Sequence, residues 1–513
     1  MNGAESLVRT LVRAGVDVCF ANPGTSEMHF VAALDRVPEM RGVLCLFEGV
    51  ATGMADGFGR MAERPAATLL HLGTGLANGC ANLHNARKAY TPIVNIVGDH
   101  TRAHLQYPSA FVSDVAAIAR PFSDWVRVAE SSLTLSVDAA LAVAAARSPP
   151  GQIATLIVPA DTAWNPAETV AEPVEPSAAV PVDAQTLERI AGILESGRKV
   201  GLLLRGPALS LRALKAAARI AAHTGARLLC ERLTTRTARG AGRVRLEQIP
   251  YRAEEAAEFL RNLDALIAVC SQPPVSTFAY PGKPSWLLSP NTTLAYLAHP
   301  HEDGVAALEA LANRIGALRD AAPMAAEERP SLPRGALDQF TIGASVARHL
   351  PEGAIISDES VSNSAGSYLA TRGAAPHDWL TNTGGAIGQG LPAAAGAAVA
   401  CPDRKVVCLL ADGGAMYTLQ ALWTLARERL DVTVVLFANR SYAILQMELA
   451  RVGATGEHRA RTLLELDRPD PRWTRLAEGM GVEASRAEST EQFDAQFAEA
   501  MRTRGPRLIE AVL

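Results

Sequence analysis

The feature that most constrains this chain is a rhythm. Short apolar, β-branched runs recur along it, each bounded by Gly or Pro and separated by helical sequence. In the first third they are VDVCF (16–20), GVLCLF (42–47), AATLLHL (66–72) and TPIVNIVG (91–98). Runs of this kind are strands buried on both faces of a parallel sheet, and alternation with helices makes them βαβ units. A Pro-rich passage at 171–183 breaks the pattern and reads as a linker. The rhythm resumes with KVGLLL (199–204), ARLLC (226–230) and DALIAVC (264–270), pauses at a second linker-like stretch (321–335), then restarts with GAIISD (353–358), DRKVVCLLADGG (403–414) and DVTVVLFAN (431–439). With 513 residues the chain is too long for one core. The expected fold is α/β: three doubly wound parallel-sheet domains at 1–170, 184–322 and 336–513.

Composition narrows the function. Hydrophobic residues make up 48% against 20% charged, which excludes disorder as the organising principle. A net charge of −4 gives no electrostatic footprint for nucleic acid or anionic membrane, so a small-molecule partner is expected. Seven scattered cysteines with no CxxC pair indicate neither a disulfide framework nor a zinc site. The opening MNGAESLVRTLVRAG reads as an amphipathic helix, not a signal peptide, and no run of eighteen apolar residues follows. The expectation is a cytoplasmic protein.

Open parallel sheets bind ligands beyond the carboxyl ends of their strands, and chemically suggestive residues cluster there. In VVCLLADGGAMY (406–417) and FANRS (437–441), Asp412 follows one buried strand and Asn439 ends the next, so a carboxylate and an amide oxygen reach one sheet edge. Oxygen ligands suit a hard cation, and the Gly413 and Gly414 backbone suits a diphosphate; Tyr417 belongs to the same segment. TNTGGAIGQGLPAAAGAA (381–398) is a Gly-rich turn, with Gly385, opening a small-residue helix, and ISDESVSNS (356–364) adds Glu359 and Ser362 as carboxylate and diphosphate contacts. In the first third, LFEGVATGMADGFGRM (46–61) sets Glu48 at a strand-to-helix junction, with Asp56 and Gly57 farther along. FANPGTSE (20–27) offers Asn22, Gly24 and Thr25 to the mouth of a site, and His71 ends another buried run. Each has a plain reading too: a strand-end Asp before a turn, a Glu complementing a helix dipole, a hydrogen-bonded core histidine. His84 is read as structural, and His100 and His104, after another strand, as groups that touch the substrate or support those that do.

Together these segments resemble the acetolactate synthase, benzoylformate decarboxylase and pyruvate oxidase superfamily of thiamine-diphosphate (ThDP) enzymes, over nearly the whole chain. The likeness is strongest to acetolactate synthase large-subunit homologues, which share NPGTSEMHFVAALD and LFEGVATG-like segments. It implies a pyrimidine-binding, a central and a diphosphate-binding domain, with ThDP and Mg²⁺ as cofactors. Asp412, Asn439 and the Ser441 carbonyl would hold the metal, although Ala411 and Ala438 replace a Gly and an Asn of the family's GDG…NN motif. Ile387 would wedge the cofactor into its V shape, Glu48 would hydrogen-bond the pyrimidine, and His71 falls on the catalytic histidine of benzoylformate decarboxylase. The implied chemistry is non-oxidative carbon–carbon cleavage or formation on a 2-keto acid through a cofactor enamine, at sites between subunits of a homodimer or homotetramer.

Two departures count against a true acetolactate synthase catalytic subunit, which stays as an alternative. Glu448 stands where those synthases carry a tryptophan, and LLLRGPALS (202–210) is no convincing flavin cradle, so FAD is not expected. Ile444, counted with the cofactor site, replaces a smaller residue of benzoylformate decarboxylase. A non-catalytic ThDP-binding homologue is a further alternative, against which Glu48 argues. A dinucleotide oxidoreductase would need a GxGxxG after its first strand, and none is present.

Overall fold

A computed structural model describes residues 1–317, 324–454 and 456–513, and its strands form three sheets. The first segment supplies β1 (Val18–Asn22), β2 (Arg41–Leu44), β3 (Ala66–His71), β4 (Ile93–Asp99), β5 (Trp125–Val128) and β6 (Ile153–Pro159). They lie in the order β2-β1-β3-β4-β6-β5 and pair in parallel throughout. The middle segment supplies β7 (Val200–Leu204), β8 (Arg227–Cys230), β9 (Thr237–Arg239), β10 (Glu247–Gln248), β11 (Ala265–Val269) and β12 (Thr293–Ala298). Five of these form a parallel sheet, β10-β8-β7-β11-β12. The last segment supplies β13 (Ile355–Glu359), β14 (His377–Thr381), β15 (Val406–Ala411), β16 (Val432–Ala438), β17 (Glu483–Ala487) and β18 (Arg507–Val512), ordered β14-β13-β15-β16-β18-β17.

The first and last sheets share one strand order. In both, the chain leaves the first strand toward one edge and returns across it to build the other, so the crevice opens between the first and third strands. That switch point lies between β1 and β3 in one sheet and between β13 and β15 in the other. The apolar runs read from the sequence are its central strands: every residue of β4, β6 and β16 is buried. The expected end of the central domain, residue 322, lies outside the described residues.

One strand departs from the simple three-part division. β9, inside the expected central domain, pairs antiparallel with β14 and extends the last sheet, with Arg239 opposite His377. The Arg239 guanidinium there lies 3.4 Å from the Tyr368 ring centroid and 4.9 Å from that of Trp379, a cation–π contact that ties the two segments.

The first and last domains meet through helices Glu48–Ala62 and Gly390–Ala400, which share one apolar cluster. Glycines set how closely they approach. A Cβ on Gly57 would strike the Ala393 backbone, and one on Gly396 the backbone of Met54. A buried polar set crosses the same seam: Arg60 makes a two-pronged pair with Asp56 (2.7 and 2.8 Å) and donates to Thr383 (2.9 Å), while Gln389 donates to Asp56. Removing one member would leave buried charge without its partner.

Candidate active site

At the first switch point, β1 ends in Asn22 and the chain turns through Pro23 and Gly24 into a short 3₁₀ turn, Thr25–Glu27. Glu27 folds back and accepts the Gly24 N–H (2.7 Å), a capping-box arrangement on a glycine. The same carboxylate oxygen lies 2.8 Å from His71 Nδ1, at the end of β3. Glycine is needed at 24 because a Cβ there would strike the His71 ring, and at 98 because a Cβ would strike the Glu27 carboxylate. Glu27 is 3% exposed and its second oxygen has no hydrogen-bond partner. Burial raises its pKa, against the pull of His71 and the Gly24 N–H.

Glu48 opens helix Glu48–Ala62, and its carboxylate accepts from Asn78 (3.1 Å). Gly75 lies between Glu48 and His71: a Cβ there would sit 3.0 Å from Glu48 Oε1 and 3.4 Å from His71 Cβ. The two expected catalytic residues therefore flank one glycine. With Nδ1 on Glu27, Nε2 is the His71 nitrogen left to exchange a proton, and the Phe111 ring covers the imidazole at 5.9 Å. Asn22 and Thr25 lie on the same turn. The rings of His100 and His104 meet at a tilt, 5.1 Å apart, in the loop after β4, and His84 binds the Gly384 carbonyl (3.1 Å) in the Gly-rich turn.

At the second switch point, Glu359 ends β13 and Asp412 follows β15. Glu359 is buried with its carboxylate on the backbone N–H groups of Gly388 (2.6 Å), Gln389 (2.7 Å) and Gly390. It thus shapes the turn that carries Gly385 and Ile387. Burial pushes its pKa up to about 7, opposed by those three N–H groups. A cofactor contact through its carboxylate would compete with these bonds. Ser362 lies in the adjoining turn Val361–Asn363.

Asp412 is 2% exposed and accepts the N–H groups of Gly413 (2.8 Å) and Arg440 (2.6 Å). Its partners are backbone amides, not cations, and burial pushes its pKa up to about 6. Asn439 follows β16, and its amide oxygen accepts from Ser441 N (3.1 Å). Asp412, Asn439 and Ser441 are therefore neighbours, and an ionised Asp412 leaves a buried charge that a hard cation would neutralise. The set holds one carboxylate. Among the described residues no group of three or more His, Cys, Asp or Glu gathers as a metal cluster. Gly413 must be glycine because a Cβ would enter the Tyr442 ring. Ile444 follows on helix Ala443–Arg451.

Residues 1–118 match the family described as "Thiamine pyrophosphate enzyme, N-terminal TPP binding domain", and residues 362–511 its C-terminal TPP binding domain. A Mycobacterium tuberculosis protein named "Putative acetolactate synthase large subunit IlvX" is 51% identical over 100% of this chain and 99% of its own. The chain belongs to the thiamine pyrophosphate enzyme family. Benzoylformate decarboxylase of Pseudomonas aeruginosa is 27% identical over 98% of this chain and 96% of its own. The solved structure of a ThDP-dependent 4-hydroxybenzoylformate decarboxylase from Rhodococcus jostii superposes with a TM-score of 0.85 at 24% identity, covering 99% of this chain and 98% of that one. The chain is thus a ThDP-dependent enzyme of the acetolactate synthase and benzoylformate decarboxylase family. The two matched ranges fall in the two sheets that share a strand order, the first taking in β1–β4 and the second β14–β18.

Reading the sequence alone missed Glu27, Asn78 and Phe111. Glu27 had a signal: a glutamate three residues after an N-cap glycine is capping-box spacing. Asn78 and Phe111 had none, since their relevance arises only once the helix after β3 and the loop after β4 fold over the crevice.

Proposed function

We propose that this enzyme uses ThDP and Mg²⁺ to cleave or join the carbon–carbon bond beside the keto group of a 2-keto acid, without redox chemistry. The observation that carries the reading is the pairing of two different switch points. One presents a buried, unneutralised carboxylate among oxygen ligands (Asp412, Asn439, Ser441); the other presents Glu48 beside a carboxylate-oriented histidine. Bound ThDP would supply an electron sink next to the scissile bond. Asp412 and Asn439 would hold the cation that carries the diphosphate, with Gly413, Gly414 and Tyr417 around it. Ile387 and Ile444 would wall the cofactor. Glu48 would hold the proton on the pyrimidine ring, and His71 Nε2 would give or take the proton at the reacting carbon while Glu27 fixes its ring.

The active unit in this reading is a dimer or tetramer, with Glu48 from one copy facing Asp412 from another. Exposed Tyr107, Phe111, Met416 and Tyr417 at the two half-sites support a covering second copy. The Asn82 amide, which reaches both Gly49 O (2.7 Å) and Gly388 O (3.2 Å), supports a one-chain site instead. Mixing Glu48→Gln and Asp412→Ala chains separates the two: recovered turnover in verified heterodimers requires a shared site, and none is possible if each chain works alone.

Flavin is not part of the proposal. Arg205, which follows β7 at the central sheet's own switch point, pairs with Glu231 (3.2 Å) and donates to the Lys88 carbonyl (2.8 Å). Seven free cysteines support a reducing cytoplasm. No helix among the described residues is long and apolar enough to cross a membrane. The test is incubation with ThDP, Mg²⁺ and a panel of 2-keto acids, following CO₂ release and products by NMR. An aldehyde marks a decarboxylase and an acetohydroxy acid marks the acetolactate synthase alternative. Absence of both, together with absence of ThDP binding, would refute the reading.

A further inference from the structure

Helix Leu72–Ala89 starts immediately after His71 and carries asparagines at 78, 82 and 85. Spacings of four and three residues set all three on one helical face. Exposed Asn78 donates to the Glu48 carboxylate (3.1 Å). Asn82 and Asn85 are buried, 2% and 0% exposed, and reach across the seam into the last domain.

Both buried amides use every hydrogen they have. Asn82 Nδ2 donates to the Gly49 carbonyl (2.7 Å), next to Glu48, and to the Gly388 carbonyl (3.2 Å), while its Oδ1 accepts from Asn85 (3.2 Å). Asn85 Nδ2 donates also to the Ala386 carbonyl (2.8 Å), and its Oδ1 accepts the Ala386 N–H (3.1 Å). Turning either amide over would set oxygen against oxygen, so the network admits one orientation. Space is set as closely: a Cβ on Gly53 would strike Asn82 and Pro392, and one on Gly384 would strike Asn85. Ala386 and Gly388 are the two neighbours of Ile387. The same stretch abuts the segment after Asp412, because the Gly388 carbonyl accepts from Thr418 (2.9 Å) and a Cβ on Gly388 would strike Tyr417. One helix of the first domain thus holds Glu48 through Asn78 and both flanks of Ile387 through Asn82 and Asn85.

We propose that Asn82 and Asn85 are positioning residues, a pair of buried amides through which the first domain sets the place of Ile387 against residues 412–418 and so the geometry in which ThDP is bound. The proposal rests on the function above for its cofactor; the hold on the turn does not. The bonds lie within one chain, so the hold is the same whether or not the site is shared between copies. A side-chain amide suits the task because it offers a donor and an acceptor side by side, which lets Asn85 pair Ala386 as a neighbouring strand would.

Hydrogen exchange on the full chain without cofactor reads the hold, and ThDP binding reads its consequence. Asn85→Leu keeps the branched shape but removes the amide, leaving the buried Ala386 N–H unpaired. Amides of residues 384–390 should then exchange at least about tenfold faster than in wild type, with the first sheet unchanged. With Mg²⁺ present, ThDP affinity should fall at least about tenfold, and the C2 proton of the ThDP that does bind should exchange at least about tenfold more slowly although Glu48 is intact. An asparagine that only stabilised the fold would leave C2 exchange in the bound cofactor at the wild-type rate. Asn82→Ala should move all three readings the same way but less, because Thr418 keeps the Gly388 carbonyl paired; it decides the matter if Asn85→Leu does not fold. Unchanged exchange of residues 384–390 would overturn the hold, whether or not the protein binds ThDP. Faster exchange with wild-type affinity and C2 exchange would overturn its role toward the cofactor. A wild type that binds no ThDP would overturn the function above, and with it the cofactor half of this proposal.

Discussion

The first and last sheets of this enzyme are built to one plan, and the same two strand ends face the crevice in each, yet their chemistry is opposite. In the first sheet β3 ends in His71, partly exposed and oriented by Glu27. In the last sheet Asp412 follows directly on β15, buried and wrapped in backbone N–H groups. Topology decides where ligands gather, and the residue type at the strand end decides what chemistry that place can offer. The glycines follow the same division. Gly24 and Gly98 make room for an imidazole and its carboxylate, Gly413 for a tyrosine ring beside Asp412.

Glu48→Gln should suppress turnover of every substrate by about 10³-fold or more, at the upper end for a positioned acid or base, and should slow exchange of the ThDP C2 proton. His71→Ala should lower turnover by about 10² to 10⁴ while leaving C2 exchange nearly intact, since it acts on the substrate side. Equal loss of C2 exchange in both variants would put His71 on the wrong side of the cofactor. Glu27→Gln keeps the shape but loses the carboxylate, so turnover should fall by about ten- to a hundredfold with KM little changed. Wild-type turnover in that variant would reduce the pair to a structural one.

Much of this was legible in the sequence, for reasons tied to particular residues. Asp412 and Asn439 stood out because buried strands are nearly continuous apolar runs, so a carboxylate at the end of VVCLLA is conspicuous. His71 ends another such run and Glu48 stands at a strand-to-helix junction, but a catalytic role for either is legible only through the resemblance to ThDP enzymes. The three-sheet architecture followed from the same runs, but the crossing of β9 did not: a three-residue strand with alternating burial, pairing across a domain border, leaves no periodic trace. Glu359 was read as a ligand because it ends a strand, and its hold on the N–H groups of residues 388–390 depends on a turn whose path only tertiary packing fixes. Asn78, Phe111 and the bonds of Asn82 and Asn85 are long-range for the same reason.

A smaller effect comes from the seam that joins the two sheets. Gly57→Ala should destabilise the protein by about 1–3 kcal/mol, because the added methyl has only the backbone of the facing helix to push against. Thermal unfolding would read this, and an unchanged midpoint would mean that the seam is looser than its geometry.

pH sharpens the contrast from the cation side. Asp412 and Glu359 have folded-state pKa values raised to about 6 and about 7. An acid with a raised folded pKa binds more protons folded than unfolded, so stability without cofactor should fall as pH rises from the ordinary carboxylate range through those values. A cation at Asp412 would reverse its share, and protons would compete with it. The rise in melting temperature on adding Mg²⁺ and ThDP should therefore be larger at about pH 7.5 than at about pH 5. Equal rises would mean that Asp412 does not titrate at the site.

Calorimetric titration of ThDP into wild-type and Asp412→Ala protein, with Mg²⁺ present and with the metal chelated, reads out the cation site itself. Tight binding is expected only for wild type with Mg²⁺, with loss of at least about 10²-fold in affinity on chelation or substitution, since the diphosphate would reach the protein largely through the ion. Unchanged ThDP affinity in Asp412→Ala with the metal chelated would contradict it.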